Sequence, residues 1–81
     1  MILVEIFSRS GCHLCEVAES IVKEVQREFA FKLTVTLIDG NSELEAKFGE
    51  EVPVTFINGE RHDYFRVDAK RFRDALLRQH Q

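Results

Sequence analysis

Within its first fourteen residues the chain passes from a short β-branched apolar run into a long segment of helical period, and that passage restricts the fold more than any other feature. Ile2-Leu3-Val4-Glu5-Ile6-Phe7 reads as a strand that stops at Ser8-Arg9-Ser10-Gly11, a stretch of turn composition. From Cys12 onward Leu14, Val17, Ala18, Ile21, Val22, Val25 and Phe29 recur at spacings of three and four. Glu16, Glu19, Lys23, Glu24, Arg27 and Glu28 fill the other face, with Glu19 and Lys23 a favourable pair one turn apart. Ser10 or Gly11 is expected to cap this helix, so Cys12 and Cys15 lie at or inside its first turn.

Lys32 to Ile38 reads as a second strand, with Leu33, Val35 and Leu37 alternating with Thr34, Thr36 and Ile38, ended by Asp39-Gly40-Asn41. Ser42 to Phe48 is predicted to be a short helix closed by Gly49, with Ser42 and Glu45 as a capping box. Pro53 to Ile57 reads as a third strand with its proline at the start, and Asn58-Gly59 signals a hairpin that returns Glu60 to Phe65 antiparallel to it. A last helix from Asp68 to about Gln79 puts Ala69, Phe72, Leu76 and Leu77 on one face behind an Asp68 cap. The order β-α-β-α-β-β-α predicts an α/β fold: a four-stranded mixed sheet, parallel in part with right-handed crossovers, with an antiparallel edge and helices on both faces. At 81 residues this is one domain, 1–81.

Composition limits the partners. The chain is 44% apolar and 31% charged, ordinary globular usage. Its formal charge of −3 supplies no basic face for nucleic acid. The apolar start Met1–Val4 is broken by Glu5 with no basic region before it, so the expectation is no signal peptide, no membrane partner and a cytoplasmic location. A cytosolic pool would keep the cysteines mostly reduced.

A disulfide between Cys12 and Cys15 would close too short a loop to be an efficient staple, which points to chemistry instead. First-turn N–H groups have no intrahelical partner and favour an anionic sulfur, making Cys12 the exposed nucleophile. Cys15, one turn inward, is placed to attack a mixed disulfide at Cys12, with the advantage of an intramolecular step. A pair of this spacing in a strand-loop-helix context reads as a redox motif. His13, between the two, either supports the Cys12 thiolate when protonated or is simply solvated. Arg9 either holds an anionic group of a thiol substrate or is a solvated loop cation. Glu5 is either a proton acceptor beneath Cys15 or, as the residue types favour, a strand-end carboxylate reaching solvent or a basic neighbour. Phe7, Tyr64 and Phe65 read as core or edge packing. Zinc is a rival use of Cys12, His13 and Cys15, but His62 and His80 offer no spaced second pair, so no metal site is predicted.

Ser8-Arg9-Ser10-Gly11-Cys12-His13-Leu14-Cys15, Val52-Pro53 and Phe56-Ile57-Asn58-Gly59-Glu60 together resemble the glutaredoxin branch of the thioredoxin superfamily over nearly the whole chain. The resemblance implies a thioredoxin fold, a dithiol active site, a cis Pro53 beside Cys12, Val52 offering its backbone to a substrate strand, and Arg9 contacting glutathione. The chain departs from that pattern where glutaredoxins place Gly-Gly and an Asp before the last helix; here Asp63-Tyr64-Phe65-Arg66 stand there. It lacks the Trp of thioredoxins, and Ile6 occupies about the place of their buried Asp.

The expected function is that of a monomeric thiol–disulfide oxidoreductase, with Cys12 and Cys15 catalytic and Arg9, His13, Val52 and Pro53 binding substrate. Its partners would be a disulfide-containing protein or small thiol substrate. A thiol or flavoprotein reductase would donate electrons; no cofactor is bound, with glutathione as a candidate reductant. The rival is a non-catalytic thioredoxin-fold interaction module, or one carrying metal or an iron–sulfur cluster.

Overall fold

A computed structural model describes residues 1–79. His80, considered above as a metal ligand, lies outside the described residues. The elements are β1 (Ile2–Ser8), α1 (His13–Gln26), β2 (Phe31–Leu37), α2 (Ser42–Phe48), β3 (Val54–Ile57), β4 (Glu60–Tyr64) and α3 (Ala69–Gln79), in the predicted order. They form one four-stranded sheet of order β2-β1-β3-β4. β1 runs parallel to β2 and antiparallel to β3, and β3 pairs antiparallel with β4. This is the mixed α/β architecture expected, with the Asn58-Gly59 hairpin turn at φ 50° and 84°.

Strand alternation sorts β1 onto two faces. Ile2, Val4 and Ile6 join the main core with Ala18, Val22 and Val25 of α1 and Phe72, Ala75 and Leu76 of α3. Phe7 faces the other way, into a smaller cluster with Ile38, Phe48 and Val54, where its ring stacks on Phe48 at 4.7 Å. Glu5 alternates onto this second face with Phe7, opposite Phe56, and is half-buried. The reading of Glu5 as a proton acceptor beneath Cys15 is therefore overturned: Cys15 sits on α1, across the sheet.

Several caps and faces differ from expectation. The N-cap of α1 is Cys12, not Ser10 or Gly11. Asn41 caps α2 in place of Ser42, its side chain accepting the Leu44 N–H at 3.1 Å. Asp68 does cap α3, accepting the Lys70 N–H at 3.2 Å. Leu14 and Val17 lie outside the buried stripe of α1, and Leu77 outside that of α3, because residues three or four apart share only the centre of a helix face.

Phe72 is the hub of the larger core, fully buried, with the rings of Phe31 at 5.9 Å and His62 at 5.8 Å. Phe72→Ala is expected to cost about 3–5 kcal/mol of unfolding free energy by denaturant titration. His62 gives the fold a pH dependence. Its Nε2 is buried without a hydrogen-bond partner, and burial, aided by Arg71 and Arg78 and opposed by Asp63 and Asp68, lowers its affinity for a proton. The unfolded chain binds that proton more readily, so this stability is fully present above the ordinary histidine pKa of about 6.5 and is lost as pH falls through the lowered folded value. Melting temperatures should fall more steeply below pH 6.5 in the wild type than in His62→Leu; parallel curves would refute the assignment.

Candidate functional site

The site is built where β1 gives way to α1. Ser8 ends the strand, and its carbonyl accepts the Ile38 N–H at 2.9 Å, tying the strand end to the loop after β2. Ser10 N–H donates to Asp39 Oδ1 at 3.0 Å, and Cys12 N–H closes the turn onto the Arg9 carbonyl at 3.3 Å. Gly11 takes φ 73° within this turn, a conformation that costs glycine little. The loop thus delivers Cys12 to the N-cap position in extended conformation, φ −88° and ψ 112°.

At that position the Cys12 Sγ accepts the Cys15 N–H at 3.2 Å. A backbone donor that would otherwise lack a partner points at sulfur, the geometry that supports negative charge there. Both cysteines are free thiols; Cys12 is half-exposed and Cys15 is only 2% exposed. Burial pushes the Cys15 thiol above the ordinary cysteine range, and the Cys12 sulfur adds to the rise. The Ser8 hydroxyl and the Arg9 backbone pull the other way. Ser8 is itself buried on the same face. The pair therefore has an accessible outer sulfur and an enclosed inner one, one helical turn apart.

The other predicted site residues are placed as follows. His13 is exposed, and its Nδ1 lies 3.9 Å from Glu16 Oε2, an ion pair only when the imidazole is protonated. Arg9 is half-buried and folds over the end of α2: a Cβ added at Gly49 would stand 3.2 Å from its Nη2. A cation there complements the negative end of a helix dipole, worth about 0.3–1 kcal/mol. Val52-Pro53 is a cis peptide, with Val52 packed against the smaller core and Pro53 fully buried. Continuing the pairing of Phe7 with Val54 sets Pro53 opposite Ser8, so the proline segment lies in the strand next to the one that ends beneath Cys15.

Three residues of this region were not singled out as site residues from sequence. Ser8 touches the inner thiol, and only its place at the strand end hints at that. Glu51 holds the proline segment in two ways. Its carbonyl accepts the Phe65 N–H at 3.1 Å, and its carboxylate takes two hydrogen bonds from Arg61, each of 3.3 Å. Phe65 adopts φ 65°, which costs a non-glycine residue about 1–2 kcal/mol. Tyr64 and Phe65, read as packing residues, are 46% and 45% exposed, and their rings meet at 5.0 Å. Phe7 does pack, as read. Among the described residues no three His, Cys, Asp or Glu side chains converge as a metal-ligand set. Among those residues no helix is long and apolar enough to cross a membrane.

Comparison with known proteins agrees with this geometry. The model of the family described as Glutaredoxin-like domain (DUF836) matches residues 3–77. Uncharacterized protein Rv0508 of Mycobacterium tuberculosis is 36% identical over an alignment covering 93% of this chain and 82% of that protein. The solution structure of protein Ne2328 from Nitrosomonas europaea superposes with a TM-score of 0.79 at 28% identity, covering 91% of this chain and 89% of that one. Thioredoxin O2 from Arabidopsis thaliana shares the fold alone, with a TM-score of 0.70 at 17% identity over 100% of this chain and 76% of that one.

The asymmetry of the two sulfurs is directly measurable. Iodoacetamide at neutral pH should alkylate Cys12 about tenfold or more faster than Cys15, read by peptide mass spectrometry. Ser8→Ala should move the alkylation midpoint of Cys15 further upward, since a group that favours its anion is removed. Faster labelling of Cys15 would overturn the burial assignment.

Proposed function

The chain belongs to the glutaredoxin-like domain family, and from that premise we propose that it is a thiol–disulfide oxidoreductase reducing disulfides of proteins or small molecules. A thiol-redox role in general follows from the family and fold. The observation that carries the finer reading is the Cys15 N–H on the Cys12 sulfur, at the exposed opening of α1.

In this reading the Cys12 thiolate attacks one sulfur of a substrate disulfide, forming a mixed disulfide and releasing the other substrate sulfur as a thiolate. Cys15 then attacks the Cys12 sulfur. Its proton passes to solvent or to the departing thiolate, a Cys12–Cys15 disulfide forms, and the second substrate thiol leaves. Two electrons have moved from the protein dithiol to the substrate. A second thiol reductant, glutathione or the dithiol of a flavoprotein reductase, returns the protein disulfide to the dithiol; no bound cofactor takes part. Val52 would present its backbone to the substrate beside Pro53, Arg9 would meet an anionic thiol, and His13 would support charge at the helix opening. The protein would act as a monomer in a reducing cytoplasmic pool.

The test is turnover of insulin and of a small disulfide in a coupled thiol assay. Cys12→Ser should reduce both activities to background. Cys15→Ser should stop turnover of the protein substrate while a mixed disulfide accumulates at Cys12, visible as the added substrate mass. Wild-type activity retained in Cys12→Ser would defeat the proposal.

A further inference from the structure

We propose that Phe65 is a specificity residue, selecting disulfide-bonded polypeptides that carry an apolar side chain next to the reacting cysteine. This rests on the reading of Cys12 as the sulfur that exchanges with substrate.

The chain must turn between β4 and α3, because Tyr64 faces the smaller core's side of the sheet with Val54 whereas Val67 is buried in the larger core. The turn is made by the positive φ of Phe65. Glycine would adopt it without strain, and a buried ring could offset the strain by packing. Neither holds: the Phe65 side chain is about half exposed and its ring partner, Tyr64, is as exposed as itself. A strained backbone whose bulky side chain stays about half exposed is not accounted for by core packing, and such outliers point to function.

Its position gives that function a ligand. The Phe65 N–H donates to the Glu51 carbonyl at 3.1 Å, which sets Phe65 beside the segment 51–53, and that segment enters β3 next to the end of β1. At about 4.8 Å between strands, Phe65 stands about 10 Å from the strand end beneath Cys15. A peptide joined to Cys12 reaches that far with the residue beside its cysteine. The Phe65 N–H is engaged by the Glu51 carbonyl, so the backbone is anchored and the ring projects from a fixed point. An apolar side chain of a bound polypeptide gains contact there, and a small polar thiol gains little. Arg66, exposed and without an ion partner among the described residues, adds a preference for an acidic residue further along.

The experiment measures mixed-disulfide equilibria in Cys15→Ser. There the Cys12 sulfur displaces one half of a symmetric peptide disulfide; a new S–S bond forms and the freed peptide thiol carries off the electron pair and the proton. Three disulfides are compared: Asp-Phe-Cys-Val-Asp, Asp-Gly-Cys-Ser-Asp, and glutathione disulfide. Cys15→Ser should favour the apolar peptide about tenfold over the Gly-Ser peptide, the worth of one aromatic contact. With Phe65→Asn added, the preference should fall toward one while the glutathione equilibrium stays unchanged. Asn tolerates positive φ, so this variant should melt no lower than its parent. An unchanged preference in the Phe65→Asn protein, or an equal loss for all three disulfides, would overturn the proposal. Absence of catalytic turnover in the wild type would instead refute the enzymatic reading, and these equilibria would still decide the role of Phe65.

Discussion

A single hydrogen bond, from the Cys15 amide to the Cys12 sulfur, is the interaction on which the proposed chemistry of this molecule rests. Helix openings are usually capped by oxygen, from Ser, Thr, Asp or Asn, because oxygen accepts the free first-turn amides well. A neutral thiol is a weaker acceptor, so a cysteine at this position gives up part of the usual capping stability. An anionic sulfur accepts far better than a neutral one, and the first-turn amides reward that charge. In the proposed exchange capping and reactivity are one interaction, and the turn from Ser8 to Gly11 holds the sulfur there.

The sheet makes that arrangement specific by ending three strands together. Ser8 closes β1, the Val52-Pro53 segment enters β3 beside it, and Tyr64-Phe65 leaves β4 one strand further on. The two cores hold this edge from both sides. α1 and α3 cover one face through Phe72 and its neighbours, while the short α2 covers only the end of the other face, around Phe7 and Phe48. Glu51 links the layers, bonding β4 through Arg61, whose guanidinium carbon lies 5.8 Å from the Phe48 ring centre. The proline segment is therefore positioned by ion pair, backbone bond and aromatic packing at once.

Element order, the hairpin and the dithiol motif were legible because each depends on neighbours in sequence: period, turn residues and spacing. The caps of α1 and α2 are less legible, since Ser42 is chemically as good a cap as Asn41 and Ser10 a better one than Cys12; the bonds made by Asp39 and by the Leu44 N–H decide the register, and these are tertiary or one-residue differences. Glu5 could not be assigned to a face without knowing which faces α1 and α2 cover. Ser8 and Glu51 were invisible as site residues because their roles come from partners separated in sequence by seven and fourteen positions, Cys15 and Phe65. Phe65 looked like packing because composition does not report φ.

The placement of Glu5 also fixes how protons move in the proposed exchange. With that carboxylate on the far face and Ile6 packed against α1, Glu5 is not among the groups acting on the Cys15 thiol. Burial holds Cys15 protonated, and the nearby hydroxyl of Ser8 and the Arg9 backbone only partly offset it. Deprotonation of the inner sulfur then falls to the departing substrate thiolate or to water reaching the half-exposed Cys12. Release is thereby coupled to the basicity of the leaving thiol: a more basic leaving sulfur takes the proton more readily but departs less easily as an anion. The second step of exchange is governed by the substrate as much as by the protein, which gives contacts that hold a polypeptide in place during that step their value.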